Sequence, residues 1–424
     1  MNLLRTAVAL SAIFVAGAAF AQDATGITVW ADANRQPAVE AFIAAHPEVP
    51  VNLVVDDGSS GASGTFQTKI SLADQAGEGW PDVVFSTQNN DAAWATKETN
   101  GVQPFAQVLN EGFLGEEFLK GFTPGALDPV TVDGKVYGLR NDLAPVLFWY
   151  NKTLLDGFGY TAPTTWEEYQ ELGDKLAADH PGYFLGGIGD AFEGPYIYYW
   201  SGQAPIFQLE GETFKSNTTD PNAVKVSNLI DHMVANKSLT LDSVFGASFV
   251  ATAANLVAIP GPAWYAGALF QNPGGVNAKA GDWVAAPPLY WKDGEKVTGN
   301  VGGGVWYASS HTANPEAVKT FLQFIVSDPK VAGTGGLPAY QAAADAWLDG
   351  QAASGFYAGD FKAAINTAAS SVWNGWGYPN FSPETAWAKI ITPGLVAGKT
   401  MTDLSADWQQ EMKNEAQVVG YTVE

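Results

Sequence analysis

Apolar residues recur along this chain in two rhythms: short β-rich runs that end in polar clusters, and longer stretches spaced for one face of a helix. Gly26 to Asp32 (GITVWAD) is the first β-rich run. Val39, Phe42 and Ile43 follow at helical spacing and stop before Pro47, which cannot continue a helix. A second run, VPVNLVV, passes into Asp57-Gly58-Ser59-Ser60, and a third, VVFS, leaves through Gln88-Asn89-Asn90-Asp91. This alternation predicts a mostly parallel sheet with helices on its faces. Ligands of such sheets gather outside the carboxyl ends of the strands. Those ends are Asp32-Ala33-Asn34-Arg35 and the two loops just named, which together predict one wall of a cleft.

Further along, two Asp-Gly pairs predict hairpins, in TVDGKVYGL (Thr131 to Leu139) and YWKDGEKVTGN (Tyr290 to Asn300), because Asp-Gly accepts the positive φ values of a type I′ turn. Helix starts are written at Thr165-Trp166-Glu167-Glu168 as a capping box, and at Asp220-Pro221, Asn314-Pro315 and Ser382-Pro383 as a cap before an N1 proline. The most apolar strand, Ala144 to Tyr150, is too short to span a membrane, as is every other run beyond the N-terminus. No low-complexity linker separates the segments, so two domains would be joined by crossing strands.

Composition narrows the class. Residues 1–21 have a positive start, an apolar stretch and the small-x-small site Ala19-Phe20-Ala21, the pattern of a cleaved export signal. Roughly 400 residues then remain, more than a single core organises, so two domains are expected. With 0 Cys, a lipid anchor, disulfides, a thiol nucleophile and thiolate metal sites are all excluded. Export without lipid or disulfide points to a Gram-negative periplasm. The 44 acidic residues against 21 basic ones give a net charge of −23, a poor field for nucleic acid or anionic membranes. The 4 His form no metal-ligand spacing, and no nucleophile-elbow or phosphate-loop motif occurs, so no cofactor or metal is implied. A glycosidase-type carboxylate pair is a three-dimensional fact and stays open.

One stretch is more specific. DGKVYGLRNDLAPVLFWYNKTLLDGFGYTAPTTWEEYQEL resembles the signature of the family 1 extracellular solute-binding proteins of ABC importers, and GPAWYAGAL and GGGVWYASSHTANPEAVKTFLQFIVSDP resemble two further segments of it. The resemblance covers nearly the whole mature chain. It implies an α/β, two-domain periplasmic binding protein fold of type II-like topology, with a hinged cleft between two mostly parallel sheets flanked by helices. The expected division is 23–140 plus 301–332 for domain I and 141–300 plus 333–424 for domain II. It also implies a monomer that carries a small carbohydrate to membrane permease subunits, with no enzymatic role.

Carried over residue by residue from the maltose-binding branch of the family, the match implies sugar contacts at Asp32, Asn34, Arg35, Glu193, Tyr196 and Trp264. The loops and hinge add Ser59, Asn89, Asn90, Arg140, Asp142 and Gly303, and the Gly-rich SSVWNGWGYPNF adds Trp373 and Trp376, whose indoles offer stacking faces. Where that branch has a tryptophan and a charged pair after its third strand, this chain has Ser86-Thr87-Gln88-Asn89-Asn90, which favours a shorter or differently hydroxylated sugar than a maltodextrin. Beyond the leader there are only two arginines, Arg35 and Arg140, against 18 lysines. Either they orient neighbouring acids such as Asp32 and Asp142 toward a neutral sugar, or they read an acidic or sulfonated one. An exported carbohydrate-active enzyme is the remaining alternative.

Overall fold

The computed structural model describes residues 26–55, 65–88, 90–98, 101–334 and 336–424. Ser59, Asn89 and the 1–21 leader lie outside them. In chain order the first strands are β1 (Ile27–Ala31), β2 (Val51–Val55) and β3 (Val83–Ser86), with helices α1 (Gln36–Ala45) and α2 (Thr65–Ala76) between them. Then come β4 (Thr131–Val132), β5 (Lys135–Val136), β6 (Leu139–Arg140), β7 (Asp142–Leu143) and β8 (Val146–Asn151). β9 (Phe207–Glu210), β10 (Thr213–Ser216), β11 (Ala258–Pro262) and β12 (Trp283–Ala286) follow, and β13 (Val305–Ala308), β14 (Leu337–Pro338) and β15 (Thr422–Val423) complete the set.

The first lobe is built on a five-stranded sheet of order β2-β1-β3-β13-β6. β1 pairs in parallel with β2, Ile27 opposite Val51, and with β3, Val29 opposite Val83. β13 alone runs against the other four strands, β6 keeping the direction of β1, β2 and β3. β13 enters from the cleft edge, where β3 ends, so it must run backwards: Val305 faces Ser86 on one side and Arg140 on the other, both antiparallel. In the second lobe the three-stranded sheet β11-β8-β12 is antiparallel throughout, because β8 leaves the hinge while β11 returns to it. As the middle strand, β8 buries Val146, Leu147, Phe148 and Trp149, which accounts for its uniformly apolar sequence.

Each lobe has its own buried cluster. One joins Val29, Phe42, Val83–Phe85, Leu139, Trp306 and Phe321; the other joins Leu147, Trp149, Trp166, Tyr198, Trp283, Trp387 and Trp408. Val301 packs into the second cluster and Ala339 into the first.

Local chemistry behaves as written at some of these signals and not at others, Ser382 among the latter, with no side-chain cap bond. Asp133 and Gly134 have φ of 50° and 77°, closing the β4–β5 hairpin. The second Asp-Gly pair forms no hairpin. Its backbone is taken elsewhere: Tyr290 accepts from Trp166 N at 3.1 Å, Thr298 N donates to Ser371, and the Asp293 carboxylate accepts from Lys225 at 2.9 Å. Thr165 caps its helix by accepting from Glu168 N at 3.2 Å, but Glu168 reaches back to Thr164 at 2.9 Å rather than to Thr165. Asp220 caps through Asn222 N at 2.8 Å, whereas Asn314 is diverted, its amide donating to Gly26 O at 2.7 Å.

Candidate functional site

Three chain segments cross between the lobes, and they are hydrogen-bonded to one another. Residues 141–146 and 299–304 pair through Val301 N to Ala144 O, Val146 N to Gly299 O and Asn141 N to Gly304 O, at 2.7–2.9 Å. The third crossing adds β14 antiparallel to β7, with Leu337 opposite Leu143. Asp142 is buried at this junction, its carboxylate accepting from Gly304 N at 3.0 Å and from the Asn141 amide at 3.1 Å.

Beside these crossings a cavity of about 410 Å³ opens between the lobes. Thr123, Asp128 and Arg140 line it from the first lobe, and Trp200, Asn300, Ser370, Asn374 and Tyr378 from the second. Arg140 is 3% exposed and donates through Nη2 to Asp142 O at 3.2 Å and Gly302 O at 3.5 Å. It forms no ion pair with a carboxylate among the described residues, and its Nε has no partner. Burial pushes its pKa down, while Tyr378, Asp142 and Tyr307 push the other way. The phenol of Tyr378 is in turn raised by burial. Gly303 makes this seat: at φ +95°, a Cβ there would lie 1.8 Å from Arg140 Nη2.

The other expected residues that are described stand outside the cavity lining. Asp32 is buried and pairs with Arg35 at 3.3 Å, and the Arg35 guanidinium lies 4.4 Å over the ring of Phe85. Asn34 is exposed on the same turn. Asn90 reaches across to the second lobe, donating to Pro379 O at 2.6 Å and Phe381 O at 3.1 Å. Glu193 is fully buried; Oε2 accepts from Asp190 N at 2.8 Å and Oε1 has no partner. Burial and the adjacent Asp190 raise its pKa well above the usual carboxylate range, favouring the neutral acid. Tyr196, three residues on, is raised by burial and by Glu384. Trp264 is partly exposed, with Nε1 tied to Val301 O at 2.9 Å and its ring stacked on Phe245 at 6.1 Å.

The two loop tryptophans separate. Trp373 is half-buried between cavity-lining Val372 and Asn374. Trp376 turns inward instead: it is 1% exposed, donates to Ala204 O at 2.8 Å and stacks on Trp200 at 4.9 Å. Its Gly-rich surroundings suggested a surface ring, but the apolar gap between Trp200 and Phe207 claims it. Of the expected residues that are described, Arg140 alone is in the cavity lining, while Asp128, Trp200, Asn300, Ser370, Asn374 and Tyr378 were missed. Asn374 and Tyr378 stood inside the quoted aromatic loop; Asp128, in GALDPV, carried no motif.

A family model for bacterial extracellular solute-binding proteins matches residues 37–354. Among curated proteins, the chain is 25% identical over 338 residues to a lactose-binding protein of Rhizobium radiobacter, covering 75% of this chain and 74% of that one. Among solved structures it resembles the galacto-N-biose/lacto-N-biose I-binding protein of the ABC transporter of Bifidobacterium longum, with TM-score 0.75, 19% identity and coverage of 94% and 98%. It also resembles the ABC transporter associated binding protein of B. animalis subsp. lactis in complex with β-1,6-galactobiose, with TM-score 0.73, 22% identity and coverage of 94% and 99%. These likenesses establish the two-lobed fold.

Proposed function

This chain belongs to the bacterial extracellular solute-binding family, and from that premise we propose that it is the periplasmic binding component of an ABC importer, capturing a mono- or short oligosaccharide between its lobes and delivering it to the membrane permease. On this proposal it binds and releases without turnover. The division into 23–140 plus 301–332 and 141–300 plus 333–424 belongs to the same proposal; the two buried clusters support it in outline, while Val301 packs with the second lobe and Ala339 with the first.

The observation that carries it is the cavity between the lobes. Its ~410 Å³ falls in the range of small-molecule sites. Its lining supplies what a sugar requires: a guanidinium, a carboxylate and amides for hydroxyls, and the rings of Trp200 and Tyr378 for C–H faces. Asp32, Asn34, Arg35, Asn90, Glu193, Tyr196 and Trp264 are proposed as the outer contacts of the same cleft. The relatives are named for lactose, lacto-N-biose and β-1,6-galactobiose, all disaccharides, so disaccharides are the first arm of the test. Because ligand contacts from both lobes favour the closed arrangement, capture works by population shift.

Thermal unfolding of the mature protein, refolded from denaturant to strip co-purified sugar, is measured against neutral mono- and disaccharides, polyols and acidic sugars. A sugar at 100 times its dissociation constant stabilises by about 2.7 kcal/mol, a shift of several degrees. No shift across the panel would remove the sugar reading.

A further inference from the structure

The chain has two Asn-Gly pairs, Asn100-Gly101 and Asn374-Gly375. Asn100 lies outside the described residues, but the second pair stands where Asn374 lines the cavity. Asn374 is exposed there, in irregular backbone, and its side-chain amide has no hydrogen-bond partner among the described residues. The backbone N–H of Gly375 has none either. Around these two groups the loop is pinned. Trp373 N donates to Thr298 O at 2.9 Å, and Trp373 O accepts from Trp200 Nε1 at 2.6 Å. Gly375 O accepts from the Gln208 amide at 3.2 Å, and Trp376 O from Leu209 N at 3.2 Å. Glycine is imposed at 375, because a Cβ there would lie 2.0 Å from the Trp373 indole. The pair is thus held in place on both sides while the two groups that can react with each other are left free.

We propose that Asn374 is a chemical modification site in the cavity wall, deamidated by water through the nitrogen of its own neighbour. Gly375 N gives up its proton and bonds to Asn374 Cγ, and the Cγ–Nδ2 bond breaks as ammonia leaves, closing a five-membered imide. Water then adds to either imide carbonyl and reopens the ring as aspartate or isoaspartate. Water is the only co-reactant, and nothing is oxidised or reduced. With no Cβ, Gly375 presents an unhindered nitrogen and a backbone free to turn into the ring. The product removes an N–H donor and adds a carboxylate to a lining that already has Asp128. Its effect on a sugar rests on the function proposed above; the modification itself does not.

The folded mature protein is incubated in mildly alkaline buffer, and the peptide that contains Asn374 is followed by mass spectrometry, with fragmentation that separates aspartate from isoaspartate. The amide-to-acid mass gain is expected at Asn374 sooner than at any other described asparagine, with both products present. Asn374→Gln, which would have to close a six-membered ring, is expected to abolish the gain at that position. Asn374→Asp, the modified state made directly, is expected to bind lactose roughly three- to tenfold more weakly than the parent, the change typical of one hydrogen bond. An Asn374 that stays intact in the folded protein, while the same peptide deamidates once digested, would overturn the proposal. A parent that binds no panel sugar, yet gains the mass at Asn374, would overturn the sugar reading and leave the modification site standing.

Discussion

Asn90 in the first lobe donates its side-chain amide to the backbone carbonyls of Pro379 and Phe381 in the second, at 2.6 and 3.1 Å. The contact joins the loop after β3 to the loop that precedes the helix at Pro383. It is a bond between lobes that opening must break and closing must remake. Asn90→Ala is expected to leave the unfolding midpoint nearly unchanged and to speed sugar release several-fold, since a neutral hydrogen bond contributes about 0.5–1.5 kcal/mol. Stopped-flow tryptophan fluorescence reads the release rate; an unaltered rate would mean that the contact opens before the sugar leaves.

Asp128 is exposed to the cavity and has no ion-pair partner among the described residues. Asp128→Asn keeps the shape and removes the charge. Sugar affinity measured by calorimetry is expected to fall roughly tenfold, the loss typical of a hydrogen bond to a charged group, with the ligand-free melting temperature unchanged. Affinity within twofold of the parent would place Asp128 outside the site.

Trp373 and Trp376 are three positions apart in the chain yet have opposite surroundings. Trp376→Ala would open a cavity under Trp200 and is expected to cost about 3–5 kcal/mol in urea unfolding. Trp373, half-buried at the cavity edge, should show the reverse balance, a small loss of stability and a larger loss of affinity. Equal effects of the two substitutions on stability would contradict this division.

Burial pushes the Glu384 carboxyl from 4.5 up to about 7, with Asp190 adding to the rise. Burial likewise lifts Asp91 from 3.8 to about 6, outweighing hydrogen bonds from Ser86 and Gln67. Between those limits the folded chain keeps protons that the unfolded chain has released, so the contribution is full below the unfolded values and lost as pH rises through 6 to 7. Considered through these two groups, melting temperature is expected to decline from about pH 4 to about pH 8. Glu384→Gln should flatten the decline, and an unaltered slope in that variant would take Glu384 out of it.

What could be read from the sequence followed the range over which each signal acts. β1, β2 and β3 and their parallel order were legible because hydrophobic period and polar exits are local. β13 lying between β3 and β6 was not, because it is a pairing between segments far apart in the chain. The Asp133-Gly134 turn was legible and the Asp293-Gly294 turn misleading for a related reason: the second has its backbone claimed by Trp166 and Ser371, which no local pattern announces. Arg140 stood out by rarity. Asp128 and Trp200 did not, since their place in the cavity depends on how the lobes meet.

The order β2-β1-β3-β13-β6 also constrains how this molecule comes into being. The strand that joins β3 to β6 in the first sheet, beginning at Val305, leaves the ribosome more than two hundred residues after β3 ends at Ser86. Until it arrives, β3 and β6 have no common neighbour, and the first lobe cannot close its sheet. The second lobe's β8, β11 and β12 are complete by Ala286, but its buried cluster also takes Trp387 and Trp408, so it is finished later still. A chain that must remain threadable while it is exported is thereby given a native delay: its N-terminal half stays unfinished until nearly three-quarters of the sequence exists.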